Sequence, residues 1–171
     1  MVEPTRVYLS LGSNINRQHN ITSALNALAA HFGEVVISPV YESEAVGFDG
    51  SPFFNLVAMI QTTLSVGELV NTLHAIEAEH GRTRQEKKFS SRTLDIDVLT
   101  YGEVTGVVDG VELPRDEIEH HAFVLKPLVD LAPEEVHPTL NITYQQLLAE
   151  RDLSQQKLHR IPFAWPSVPQ A

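Results

Sequence analysis

The sequence predicts an α+β fold in which helices cover an antiparallel sheet. Short β-rich runs occupy 5–11, 34–43, 53–62 and 93–101. Apolar residues at helical spacing fill 17–32 and 66–80 between them. Glycine-bearing breaks separate these runs, so each is a short element of its own.

Residues 5–11, TRVYLSL, read as a strand ending at Gly12-Ser13-Asn14, a tight turn into the next helix. Ile21, Leu25, Leu28, Ala29 and Phe32 then recur at helical spacing and set a helix over about 17–32. EVVISPVYES, 34–43, is rich in β-branched residues. Pro39 has no amide to donate, which places that strand at an edge or a bulge. GFDGSP, 47–52, is a loop, and FFNLVAMIQT, 53–62, is apolar on both faces, the pattern of a central strand. Ser65 followed by Glu68 has capping-box spacing and opens a helix over 66–80, with Leu69, Val70, Leu73 and Ile76 on one face. Gly81 ends it. Residues 82–92 lack periodicity and read as a loop. Residues 93–101 form a strand bearing Asp95 and Asp97. Gly102, Gly106 and Gly110 punctuate a hairpin. HAFVLKPLVDLAP, 121–133, is a short apolar element, helical up to Pro127. Another short helix covers 143–150, and the Pro-rich tail, 160–171, reads as irregular. No repeat or linker divides the chain, so a single domain is expected over 1–171. The order β-α-β-β-α-β, with extra C-terminal elements, is that of a ferredoxin-like core.

The 171 residues suffice for one real core, and 43% hydrophobic with 20% charged residues is an ordinary globular composition. No window approaches the roughly 18 apolar residues of a membrane helix. The N-terminus shows no basic region leading into an apolar run, so no secretory signal is expected. The absence of cysteine removes disulfide and thiol chemistry and fits a reducing, cytoplasmic setting. A net charge of −10 argues against broad binding of nucleic acid or anionic membrane. Against that total, Arg82, Arg84, Lys87, Lys88 and Arg92 gather five of the 12 basic residues directly before the acid pair.

Alternate strand residues share a face, about 6.5–7 Å apart, so Asp95 and Asp97 point together. Ile96 and Val98 turn the other way, into a core. Adjacent ionised carboxylates repel and are costly to bury. Two readings stay open: a solvated acidic face, or a magnesium site completed by water and phosphate oxygens. The Arg/Lys-rich loop suits the second, since guanidinium groups share polyphosphate oxygens with the metal. An EF-hand pattern of acids, Gly and final Glu is absent. Glu77 lies beside an apolar stripe, either rotated to its edge or turned inward, where the arginines beyond Gly81 are its nearest partners in sequence. Phe53 and Asn55 share a strand face and suit a flat heterocycle, or else a core ring and a capping amide. Gly12-Ser13-Asn14 is not a Walker A loop, because no GK[ST] follows. The eight histidines form no ligand set of the HExxH kind.

LGSN (11–14), YESEAVG (41–47), PFFNLVA (52–58), GRTR (81–84), RTLDIDVLTYG (92–102) and FVLKPLVDLAP (123–133) occur in an order and spacing that resemble a known family. It is 6-hydroxymethyl-7,8-dihydropterin pyrophosphokinase of folate biosynthesis, and the resemblance spans about 5–140. It implies transfer of the β,γ-pyrophosphoryl group of ATP to the pterin hydroxymethyl, with release of AMP and with two magnesium ions as cofactors. It further implies that Asp95 and Asp97 hold metal and that Arg82 and Arg92 neutralise phosphate. Arg84 would lie on a mobile ATP-side loop, with His74 and Glu77 also on the nucleotide side. Asn55 would pair with the pterin edge, Phe53 and Phe123 would clamp its faces, and the Ser43–Val46 turn would line the pocket. The partners implied are small molecules, ATP and a reduced pterin, without nucleic acid or membrane. The chain departs from the family pattern where Phe89 or a neighbour replaces a Trp. Arg115-Asp116 stands where a His and an aromatic or Pro usually follow LP, and His121 replaces an Arg. These positions serve ATP, and Arg115 is positioned in sequence to compensate for the lost donor. A non-catalytic paralogue that binds pterin or nucleotide is the alternative. An RNA-binding domain of the same fold would need a basic sheet face, which the charge opposes.

Overall fold

A computed structural model describes residues 3–43, 51–81 and 94–165. Strand β1 (Thr5–Ser13) leads to α1 (Arg17–Phe32), then to the short strands β2 (Val36–Ile37) and β3 (Val40–Ser43). After β4 (Phe53–Thr62) come α2 (Val66–Glu79) and β5 (Asp95–Tyr101). The hairpin β6 (Gly106–Val108) and β7 (Val111–Leu113) precedes α3 (Glu117–His120), α4 (Ala122–Leu131), α5 (Tyr144–Glu150) and β8 (Leu158–Ile161).

The main sheet runs β5-β1-β4-β3-β8, with β2 also on β4 and every pairing antiparallel. Without β8 this is the ferredoxin-like order, in which the first and third strands of the core are central. The apolar, two-faced composition of β4 is thus used as expected. Val57 packs on one face, while Leu56, Ala58 and Ile60 pack on the other. Pro39 splits the predicted 34–43 strand into β2 and β3, because an interior residue must donate to the ladder and proline cannot.

Helices α1 and α2 cover one face through Ile21, Leu25, Leu28, Leu69, Leu73 and Ile76. The Ser65–Glu68 capping box is present, and Asp109 Oδ2 accepts the Gly67 amide at 2.8 Å, satisfying another donor of the first turn. Asp109 and Gly110 both have positive φ, 51° and 82°, as the tight hairpin turn between β6 and β7 requires. Helices α4 and α5 cover the other face around Tyr8, Val57, Leu99, Leu125, Leu128 and Tyr144. The result is three layers, with the sheet in the middle. Thr143 and Gln146 form a second capping box at the start of α5.

Three local expectations are corrected. Gly12 and Ser13 belong to β1, and the turn follows them, with Asn16 in the left-handed region at φ 44°. Helix α4 runs through Pro127, which forgoes the bond to the Phe123 carbonyl but is itself buried beside Leu125 and Leu128. The tail from 160 is irregular only in part, since Arg160 and Ile161 lie in β8, paired with Tyr41 and Val40. Among the described residues no helix is long and apolar enough to cross a membrane.

Candidate active site

Strand register assembles the site. Gly12 of β1 pairs with Asp95 on one side and Asn55 on the other, and Asn55 pairs with Tyr41. One row across the sheet therefore reads Asp95, Gly12, Asn55, Tyr41. Adjacent strands lie about 4.8 Å apart, so Asp95 and Asn55 are about 10 Å apart with Gly12 between them. Two residues along, Asp97 pairs with Ser10, and Ser43 pairs with Phe53 next to Asn55. All these odd- and even-numbered positions fall on the α4 side of the sheet, the face that also carries Tyr8, Val57 and Leu99.

The carboxylates meet the expected geometry. Asp95 and Asp97 are both half-buried, while Leu94, Ile96 and Val98 are buried against α1 and α2. Oδ1 of Asp95 is fully shielded. Two hard oxygen donors one strand repeat apart suit a divalent cation that completes its shell with water and phosphate. Among the described residues no group of three or more His, Cys, Asp or Glu forms a self-sufficient metal cage. The pair could hold magnesium with the help of polyphosphate oxygens.

The other end of the row sets a buried amide beside an aromatic ring, a pair that could receive a flat, polar-edged molecule. Asn55 is 5% exposed, and its Oδ1 accepts from Ser43 Oγ at 2.6 Å, so its Nδ2 is turned toward the Gly12 side. The Phe53 ring lies alongside Gly12, with Cδ2 3.7 Å from where a Cβ would be. The rim is braced from α1. Arg17 bonds Glu42 at 2.6 Å and the Pro52 carbonyl at 3.1 Å, and lies over the Phe54 ring at 3.9 Å. Asn14 Nδ2 donates to the Ser51 carbonyl at 3.0 Å. From α4, Phe123 stands half-buried, with its ring 4.9 Å from that of His121. Tyr41 donates to Asp130 of α4, and burial first, then that bond, push its phenol well above the usual range.

Arg115 comes up beside the acids. Its amide bonds the Leu99 carbonyl at 2.9 Å, and its guanidinium bonds Glu117 through Nε at 3.2 Å and Nη2 at 2.6 Å. The Glu117 bond chiefly raises its pKa, against burial, with Asp97 and Glu117 adding attraction. Burial opposes ionisation of Glu117, but the bonds to Arg115 and Asp116 and the Arg115 charge together outweigh it and hold the carboxyl at about 2. The His121 imidazole is pushed below its ordinary range by burial.

His74 and Glu77 stand elsewhere, on α2 and on the opposite face of the sheet. His74 is exposed, whereas Glu77 is only 1% exposed and so takes the inward orientation. The positions Val46, Arg82, Arg84, Phe89 and Arg92 lie outside the described residues. Sequence reasoning missed Gly12 as the floor between the acids and the amide, and Glu117 as the anchor of Arg115. Gly12 had a signal, the LGSN segment, but was read as a turn. The spacing of Arg115 and Glu117 left a weaker trace.

Paired carboxylates in one row with a buried amide and an aromatic ring suit a small-molecule transferase. The chain belongs to the 7,8-dihydro-6-hydroxymethylpterin-pyrophosphokinase (HPPK) family, whose model matches residues 8–133. It is 39% identical over 133 residues to the 2-amino-4-hydroxy-6-hydroxymethyldihydropteridine pyrophosphokinase of Pseudomonas aeruginosa, covering 75% of this chain and 82% of that protein. The enzyme of the same name from Porphyromonas gingivalis is 36% identical over 138 residues, covering 77% and 93%. Among solved structures, wild-type Plasmodium falciparum HPPK-DHPS matches 87% of this chain with a TM-score of 0.65 at 16% identity, a likeness of fold. This chain spans 45% of that longer one.

Proposed function

We propose that the protein transfers the β,γ-pyrophosphoryl group of ATP to the hydroxymethyl of 6-hydroxymethyl-7,8-dihydropterin, releasing AMP, as a step in folate biosynthesis. Membership of the family supports this reading. The observation that carries it is the row Asp95–Gly12–Asn55, with carboxylates at one end and a fixed amide at the other. The reading treats 1–171 as one pterin pyrophosphokinase-like domain.

In this reading the pterin lies over Gly12, between Phe53 and Phe123, with its edge on Asn55. Ser43 and Val46 line the pocket. The amide and the rings orient the pterin so that its hydroxymethyl projects toward Asp95 and Asp97. Those two carboxylates would hold two magnesium ions, which would neutralise triphosphate charge and polarise the phosphoryl oxygens when bound. Arg82 and Arg92 precede the pair in sequence and take further phosphate charge, while Arg84, His74, Arg115 and His121 belong to the nucleotide side. The hydroxyl oxygen attacks the β-phosphorus, the bond to the α-phosphate oxygen breaks, and AMP leaves. Asp97, or contact of the hydroxyl with a metal ion, would assist loss of the hydroxyl proton. Catalysis then rests on alignment and charge neutralisation.

The test is nucleotide analysis after mixing protein, ATP, magnesium and the reduced hydroxymethylpterin. AMP in step with pterin diphosphate is expected, and Asp97→Asn should abolish it while the fold survives. ADP as the product would assign a simple kinase. Pterin binding without turnover would assign a non-catalytic paralogue, an outcome to which the Arg-to-His departure at 121 and the Glu117-engaged Arg115 lend weight.

A further inference from the structure

β5 is the edge strand of the sheet among the described residues, so half of its amides face away from β1. One of them lies at the most sensitive point of the strand. The Ile96 amide, between Asp95 and Asp97, donates to Glu77 Oε2 at 2.7 Å in a buried setting. Glu77 comes from α2, on the far face of the sheet, and is 1% exposed. Ile96 itself packs in the α1–α2 core, 1% exposed. A carboxyl group buried this deeply is costly unless its oxygens are hydrogen-bonded, and the Ile96 amide supplies one such bond.

The bond does two things to the acid pair. It fixes the peptide that joins the two carboxylate-bearing residues, and it ties that peptide to a helix. With the outward amide held, the strand cannot rotate or slip there without breaking a buried bond to a carboxyl oxygen. A slip of one residue would send both carboxylates into the core, since the face alternates at every position. We infer that Glu77 is a positioning residue for the Asp95–Asp97 pair: it acts through the Ile96 backbone, from behind the sheet, to hold both carboxylates toward one divalent-ion site. This assigns Glu77 a place behind the proposed metal-holding pair and rests on that reading of the pair.

The experiment reads divalent-ion binding directly. Protein is titrated with Mn2+ in the presence of a non-hydrolysable ATP analogue, and free Mn2+ is followed by its paramagnetic resonance signal. Glu77→Leu keeps bulk and removes the acceptor, whereas Glu77→Gln keeps an oxygen for the Ile96 amide. Loss of an outer-shell partner commonly costs about 10–100-fold in metal affinity, so that loss is expected for Glu77→Leu and a change within about threefold for Glu77→Gln. Binding of the analogue in chelator, with no metal, should stay at the parent's level in both. Folded Glu77→Leu protein that binds Mn2+ like the parent overturns the inference. So does an equal loss of metal-free nucleotide binding, which would make Glu77 a nucleotide contact. If Glu77→Leu does not fold, Glu77→Gln decides: retained Mn2+ affinity supports the backbone role, and a tenfold or greater loss overturns it. A parent protein that binds Mn2+ but releases no AMP sinks the proposed reaction and leaves this comparison standing.

Discussion

Adding one methyl group at Gly12 tests the floor of the site. A Cβ there would lie 3.0 Å from Asn55 Nδ2, 3.7 Å from Phe53 Cδ2 and 3.9 Å from the Phe54 carbonyl. Gly12 is not among the positive-φ glycines, so alanine is compatible with the backbone. The cost falls on Asn55. Its amide must retreat by a few tenths of an ångström, yet Ser43 grips its other end at 2.6 Å in a buried bond. Stability sees two opposing terms. Replacing glycine by alanine reduces the freedom of the unfolded chain, about 0.4–1 kcal/mol in favour of folding. Straining one neutral buried hydrogen bond costs about the same, up to roughly 1 kcal/mol. The melting temperature should therefore stay within about 3 °C of the parent. Pterin binding has no compensating term. A displaced amide loses about one good hydrogen bond to the heterocycle edge, so the Kd should rise about tenfold. Calorimetric titration with a reduced pterin analogue, beside thermal unfolding, reads both quantities. An alanine variant that binds the pterin as tightly as the parent would refute the assignment of Gly12 as the floor.

Further outcomes follow from other contacts. Arg115→Met should weaken ATP binding about tenfold while leaving pterin binding alone, as expected for one lost charge-assisted contact, and unchanged ATP affinity retires the compensating role. Ending the chain after Gln156 removes β8 from the edge of β3 and the Trp165–Asn26 bond, so both thermal stability and pterin affinity should fall, because Ser43 loses its backing at Leu158; a truncated chain with parental pterin affinity would separate β8 from the site. His137 accepts the amides of Thr139 and Leu140 through Nδ1, each at 3.1 Å, and burial pushes its pKa down. The unfolded chain then binds the extra proton more readily, so this contribution is full above about pH 6.5 and is lost as pH falls toward the lower folded value. Urea midpoints at pH 7.5 and 5.5 should differ less in His137→Asn than in the parent, and equal differences would remove His137 as the cause.

The elements legible in sequence are those whose cause is local. Helices α1 and α2 were readable from periodicity, and the Ser65–Glu68 box from spacing alone, because side chains three or four residues apart decide them. Pro127 and Gly12 misled for the same reason. A proline rule counts the lost donor but not the apolar burial around Leu125 and Leu128 that carries α4 past it. A Gly-Ser-Asn run signals a turn, yet Gly12 is paired on both sides, by β4 and β5, and those partners are more than 40 residues away. β8 was hidden because what makes it a strand is the open edge of β3, not its own composition.

The same division runs through the site. That Asp95 and Asp97 share a face follows from strand alternation, whatever the rest of the chain does. That Asn55 lies in their row does not, because it depends on the register of β5 and β4 on the strand β1 between them. The orientation of Glu77 could not be chosen in advance either, since the stripe on α2 left it at the boundary of the apolar face. What settles it is an unpaired-edge problem belonging to another element: the Ile96 amide needs an acceptor inside the core, and α2 supplies one at 2.7 Å. A carboxylate that would be an error in a helix considered alone becomes the natural residue once β5 has an edge to satisfy. The buried acid and the half-buried acid pair then meet on one strand, and a change on the core side should be felt at the pair.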